Sequence, residues 1–249
     1  MFLQRFYSDL APYLRPNKAL IIFGARQVGK TTLIKHYLKH VPFKYRLDSG
    51  DNIQIRQLLS VPDFTSLKDY ASGYDLLVLD EAQKIENIGE VLKILVDQIP
   101  GIRIIATGSS SFELAGQIGE PLTGRKTTLT IYPLAQLEFS HIYNPYDLKA
   151  QLEKWLIYGS YPEIATANSD NEKRSFVTEI MQSYLLKDIL ELDNIKNSKI
   201  LLDLLRLLAF QIGNLVSLSE LGQALGIDYK TVARYIDLLE KSFVIFNLR

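Results

Sequence analysis

Eight consecutive residues restrict this chain more than anything else in it. Gly24, Ala25, Arg26, Gln27, Val28, Gly29, Lys30 and Thr31 fit G-x-x-x-x-G-K-[ST] at every fixed position. Residues 19–23 before them form a continuous apolar run, and residues 31–40 after them carry helical spacing. A loop of this kind needs a strand behind it and a helix in front. Its glycines let the backbone curl until successive N–H groups face one anion, and the helix adds the positive end of its dipole. Lys30 supplies a cation to the β and γ phosphates of a nucleotide, and the Thr31 hydroxyl is a magnesium ligand. Gly24 to Thr32 are therefore the candidate nucleotide-binding residues, the Walker A element.

The strand–helix alternation continues. Residues 43–47, 75–80, 102–106 and 129–132 read as strands, and residues 53–59 and 88–99 as helices. The pattern predicts an α/β fold, a parallel sheet covered by helices on both faces. Residues 2–14 carry apolar positions at a helical interval up to Pro16, which predicts a short leading helix. The periodicity changes at about residues 133–145 and is helical from Leu148 onward. The expected division is a nucleotide-binding domain over 1–140 and a helical, winged-helix-like region over 141–249.

A parallel sheet presents ligand residues at the carboxyl ends of its strands. Asp80 closes the run Leu76 to Leu79 and is the second magnesium ligand, the Walker B carboxylate. Glu81 follows it and is the candidate to orient or deprotonate the attacking water. Thr107 and Ser109 follow the next strand, where a hydroxyl sits beside the γ phosphate. A Ser/Gly loop with no ligand role is the other reading. Arg125, on a glycine-marked loop, is either an arginine finger or a surface arginine. Glu81, Lys30 and Arg125 are the catalytic candidates.

Taken in order, Arg26-Gln-Val-Gly-Lys-Thr-Thr32, Leu79-Asp-Glu-Ala-Gln-Lys84, Thr107-Gly-Ser-Ser110 and Gly124-Arg125 with Pro133-Leu134 and Glu138 resemble prokaryotic AAA+-like P-loop ATPases with a DUF4143-type C-terminal region. Tyr158-Gly-Ser-Tyr-Pro-Glu163 and Tyr184-Leu-Leu-Lys-Asp188 resemble the later signposts of that family, with Ser160 where a glycine is usual. The resemblance implies an ASCE-type sheet, ATP rather than GTP, magnesium, hydrolase activity and a winged-helix-like module. Members typically continue into a nuclease-like α/β domain. This chain is expected to be a fragment or a shorter member, stopping inside a strand at Phe246-Asn-Leu-Arg249.

Residues 217–249 can be read as a helix-turn-helix. Residues 219–225 form its first helix, 226–228 the turn, 229–241 the second helix and 243–248 a wing strand. Asp228 is the expected N-cap. Lys230, Thr231, Arg234 and Tyr235 occupy the early turns that meet bases in such modules. Against DNA as a partner, residues 171–249 hold ten Lys/Arg and ten Asp/Glu, whereas phosphate binding draws on basic excess. The whole chain is also neutral, with a formal charge of +0.

The remaining features narrow the class. With no cysteine there is no disulfide or thiolate chemistry. His36 and His40 stand at i, i+4 with no third ligand in view, and Trp155 with Leu152, Leu156 and Tyr158 reads as a core stripe. The opening MFLQRFYSDL lacks a secretory pattern. Residues 200–212, the most apolar helical stretch, are broken by Asp203 and Arg206 and fall short of the about 20 residues a span needs. A cytoplasmic protein without a membrane contact is expected. Homo-oligomerisation stays open, because an arginine finger can act on a neighbour's site. Three functions compete: an ATPase whose cycle moves the helical module, a nucleotide-gated DNA- or protein-binding switch with little turnover, and, last, a small-molecule kinase.

Overall fold

A computed structural model describes residues 3–109, 118, 121–182 and 198–248. The chain divides into two compact units, Met1–Phe176 and Val177–Arg249. By compactness, residues 141–176 therefore go with the sheet, although the change in periodicity falls earlier.

The first unit is built on five parallel strands, β1 (Lys18–Phe23), β2 (Tyr45–Ser49), β3 (Leu76–Asp80), β4 (Arg103–Gly108) and β5 (Lys126–Thr130), in the order β2-β3-β4-β1-β5. This is the α/β, P-loop NTPase-like architecture expected. Central strands must be apolar on both faces, and Leu76, Leu77, Val78 and Leu79 of β3 are fully buried, as are Ile104, Ile105 and Ala106 of β4. The two edge strands bury less. β5 reads Lys-Thr-Thr-Leu-Thr with only Leu129 buried, so its start carries no apolar signal. That is why the sequence places this strand three residues too late.

The helices between the strands are α1 (Lys30–Leu38), α2 (Ile53–Leu59), α3 (Phe64–Ala71) and α4 (Ile88–Gln98). α4 buries Ile88, Val91, Leu92, Leu95 and Val96, the predicted face. α3 is absent from the sequence reading. Its signal is a cap rather than a stripe: Asp63 accepts from the Ser66 N–H at 2.8 Å, and only Leu67, Tyr70 and Ala71 are buried.

The predicted leading helix does not form. Among described residues 3–14 there is one 3-10 turn, Ala11–Tyr13. Short polar side chains divert the backbone: the Ser8 hydroxyl accepts from the Arg5 N–H at 2.8 Å and donates to its carbonyl, and Asp9 accepts from the Ala11 N–H. Leu3, Leu10 and Leu14 are buried nonetheless, while Phe6 is 75% exposed.

After β5 come short helices: α5 (Gln136–Phe139), α6 (Pro145–Ala150), α7 (Leu152–Tyr158), α8 (Pro162–Thr166) and α9 (Asp170–Ile180). Leu3, Leu134 and Phe139 form a small core with Trp155 against it, and Trp155 stacks on Phe139 at 4.5 Å. Of the core stripe assigned to α7, Leu152 and Leu156 are exposed, while Trp155 and Tyr158 are half-buried.

In the second unit, α10 (Ser198–Ala209), α11 (Leu218–Leu225) and α12 (Tyr229–Lys241) pack in sequence. Among its described residues, Leu201, Leu204, Leu221, Val232, Tyr235, Leu238 and Leu239 are the buried hydrophobic ones. Asp228 caps α12 as expected, accepting from the Thr231 N–H at 2.9 Å. The wing strand is not formed: residues 243–248 have no strand pairing, and Phe243 sits at φ 57°. The signpost at residues 184–188 lies outside the described residues.

Candidate functional site

Because all five strands run the same way, their carboxyl ends share one edge of the sheet. Register does the rest. Phe23 of β1 pairs with Gly108 of β4, and Leu79 of β3 with Ala106 of β4. One step further, Asp80 stands beside Thr107, whose partner on β1 is Ile22, two residues before the loop opens. β1 is the strand from which the chain departs to one side for β2 and returns to the other for β5, a topological switch point of the kind where α/β sheets bind ligands.

Gly24 opens the loop because no other residue fits. Its φ is 153°, and an added Cβ would lie 2.2 Å from the Ile131 carbonyl oxygen. Gln27 at φ 60° and Gly29 at φ 95° complete the curl, and α1 begins at Lys30. Ala25 and Val28 are buried, while Arg26, Gln27 and Thr32 face solvent.

Lys30 is 5% exposed. Its ammonium donates to the Gly24 and Ala25 carbonyls, both at 2.8 Å. Burial lowers its pKa to about 8, against the opposing pull of the Glu81 and Asp80 charges and with a smaller push from Arg26.

Asp80 joins three elements. The Thr31 hydroxyl donates to Oδ2 at 2.7 Å, across 49 residues of sequence. The Thr107 hydroxyl donates to Oδ1. Thr107, fully buried, also accepts from the Glu81 N–H at 3.0 Å. Its hydroxyl is therefore committed between the two acidic residues. Glu81 takes left-handed backbone, φ 50° and ψ 42°, a conformation that costs a non-glycine residue and clusters at functional sites.

Gln83 was given no role by the sequence. Its Nε2 donates to Glu81 Oε2 at 2.6 Å and to Ser109 Oγ at 3.3 Å, so it ties the carboxylate of Glu81 to the loop after β4. Ser109 is 5% exposed. The signal was present only as a polar residue two places after Glu81. Nothing in the sequence says that the β4 loop returns there.

Arg125 is not part of this cluster. It precedes β5, whose first residue, Lys126, pairs with Ala19 near the start of β1. That is the amino edge of the sheet, about 15 Å of strand from the loop. There its Nε pairs with Asp97 Oδ1 at 2.6 Å. In its own chain it does not reach the site.

The chemistry fits a magnesium nucleotide. Two of the three N–H groups of the buried Lys30 ammonium are accounted for within the loop. A hydroxyl and a carboxylate lie 2.7 Å apart, both hard oxygen donors of the kind magnesium takes.

The DNA-facing residues expected on α12 divide differently. Lys230 and Arg234 are exposed, the Thr231 hydroxyl is bonded to Asp228 at 2.6 Å, and Tyr235 is buried among the helices. Tyr235 thus belongs to packing, because its position on α12 faces the core.

Comparisons with known proteins agree with this architecture. The AAA domain family model matches residues 16–140, half of the chain, and a Domain of unknown function (DUF8612) matches residues 149–249. The motif resemblance points to a DUF4143-type region there, and the model that matches is a different one. An uncharacterised protein of Haemophilus influenzae is 26% identical over 255 residues, covering 92% of this chain and 62% of that protein. One of Methanocaldococcus jannaschii is 26% identical over 265 residues, covering 96% and 58%. This chain therefore spans about three fifths of the length of these relatives. NtrX from Brucella abortus, solved in complex with ATP, aligns over 93% of this chain and 65% of its own, at 15% identity and a TM-score of 0.37. No helix among the described residues is long and apolar enough to cross a membrane. With its phosphate-loop fold and a match over residues 16–140, the chain belongs to the AAA domain family.

Proposed function

We propose that this chain binds ATP with magnesium at residues 24–32 and hydrolyses it, and that the cycle moves the C-terminal helical region. The observation that carries the reading is the Asp80 carboxylate, bonded at once to Thr31 of the loop and Thr107 of the neighbouring strand. A strand-end carboxylate held against the loop's own hydroxyl is what a magnesium-triphosphate site requires.

In this reading the backbone N–H groups of residues 26–31 hold the phosphate oxygens, and Lys30 turns from its carbonyls to the β and γ phosphates. Thr31 and Asp80 would hold magnesium, which would supply charge neutralisation to those phosphates. Glu81 accepts a proton from water as the water oxygen bonds to the γ phosphorus, and the bond from that phosphorus to the bridging oxygen of ADP breaks. Gln83 holds the Glu81 carboxylate until then. Thr107 and Ser109 lie one bond from Asp80 and Gln83 respectively, so loss of the γ phosphate reaches both. Arg125 serves as a finger only toward a neighbouring molecule, which requires a homo-oligomer.

Phosphate release from wild type and Glu81→Gln tests the reading. The variant should be slower by about 100-fold or more while still binding Mg-ATP. Equal rates above background would remove Glu81 from its role.

A second reading rests on exposed Lys230 and Arg234 near the start of α12: a nucleotide-gated switch that meets DNA or a protein through residues 217–249. It requires slow turnover and a partner affinity that differs between ATP and ADP. Equal affinity in the two states excludes it.

A further inference from the structure

Arg5 lies 19 residues before the loop and belongs to no motif, yet it is 9% exposed. A buried guanidinium must spend its donors, and Nε, Nη1 and Nη2 each find an acceptor. Nε pairs with Glu138 Oε1 at 3.0 Å. Nη1 donates to the Val28 carbonyl at 2.7 Å, and Nη2 to the Tyr132 carbonyl. Glu138 is equally engaged, accepting from the Phe6 N–H at 2.6 Å and the Ala135 N–H at 2.8 Å. One ion pair thus gathers the amino-terminal segment, the phosphate loop, the turn after β5 and α5.

The Val28 carbonyl matters because of what shares its peptide. A trans peptide points its C=O and N–H in opposite directions. The N–H partner of the Val28 carbonyl is that of Gly29, the N-cap of α1, and first-turn N–H groups lack partners within their helix. A guanidinium that fixes the Val28 carbonyl therefore also fixes the Gly29 N–H, on the opposite side of that peptide. Arg5 Nη1 also lies 3.6 Å from where a Gly29 Cβ would stand, so its charge is at the turn itself.

We propose that Arg5 is a positioning residue of the phosphate loop: held by Glu138, it orients the Val28–Gly29 peptide so that the Gly29 N–H faces the β phosphate of the nucleotide. The inference rests on the nucleotide site proposed above. It makes the amino-terminal segment and α5 part of the machinery that sets affinity for di- and triphosphates, and it gives nucleotide binding a rigid connection to α5.

The test is calorimetry of wild type, Arg5→Met and Arg5→Lys with Mg-ADP and with AMP, which lacks a β phosphate. Arg5→Met should bind Mg-ADP about tenfold more weakly, the scale of one charge-assisted hydrogen bond, with AMP unchanged. Arg5→Lys should recover part of the loss, since lysine restores the charge without the fork. Breaking one side of a buried pair can unfold a protein. If Arg5→Met does not fold, Arg5→Met/Glu138→Gln, which buries no charge, should show the same selective loss. Mg-ADP binding equal to wild type, or an equal loss for ADP and AMP, overturns the inference. Wild type and Lys30→Ala that both give no heat with Mg-ADP would instead remove the nucleotide site, and the role of Arg5 with it.

Discussion

The pKa of Lys30 makes nucleotide affinity depend on alkaline pH. Burial holds the ammonium at about 8, from an ordinary 10.5. Phosphate oxygens favour the charged form, so binding should return the pKa to its ordinary value or above. The sign follows. Well below pH 8 Lys30 is charged with or without nucleotide, and affinity is flat. Between about 8 and 10.5 the free protein has lost the proton and the complex keeps it, so affinity falls tenfold per unit. Mg-ATP should bind roughly tenfold more weakly at pH 9 than at pH 7, and at pH 8 binding should take up about half a proton. Calorimetry in two buffers of different ionisation enthalpy reads that uptake directly. Lys30→Arg, always charged, should bind with little pH dependence whatever its absolute affinity. An affinity constant from pH 7 to 9, with buffer-independent heat, would refute the argument. The same shift acts on folding: between about pH 8 and 10.5 the unfolded chain binds the extra proton, so this group's contribution to stability rises across that window.

Thr107→Val deletes a fully buried hydroxyl that serves both Asp80 and the Glu81 N–H. It should cost about 1–3 kcal/mol in denaturant unfolding, and Thr107→Ser should restore most of it. Unchanged stability would mean the hydroxyl is not so placed. Gly24→Ala sets a Cβ 2.2 Å from the Ile131 carbonyl oxygen. It should destabilise by about 1–3 kcal/mol through the backbone alone and abolish Mg-ATP binding. A variant that melts and binds like wild type would contradict the geometry of the β1–loop junction.

Much of the fold is legible in the sequence because its signals are local. The apolar runs that become β1, β3 and β4 are strands buried on both faces, and the stripe on α4 is an unbroken helical face. The failures have physical causes. The leading segment shows helical spacing but is bent by Ser8 and Asp9. β5 is an edge strand whose threonines carry no apolar signature. On α12, Tyr235 was assigned to bases and is spent on packing.

The sequence by itself determined the phosphate loop, the strand-end pair Asp80-Glu81 and the alternation that builds a parallel sheet. Each is written within about ten residues, where backbone preference and spacing act. Only the tertiary structure decided that Thr107 bridges Asp80 and Glu81, that Gln83 holds Glu81, that Arg5 and Glu138 meet across 133 residues, and that Arg125 lies at the opposite edge of the sheet. Those outcomes follow from strand order and register. They arise when non-adjacent segments pack together, and no local pattern encodes them.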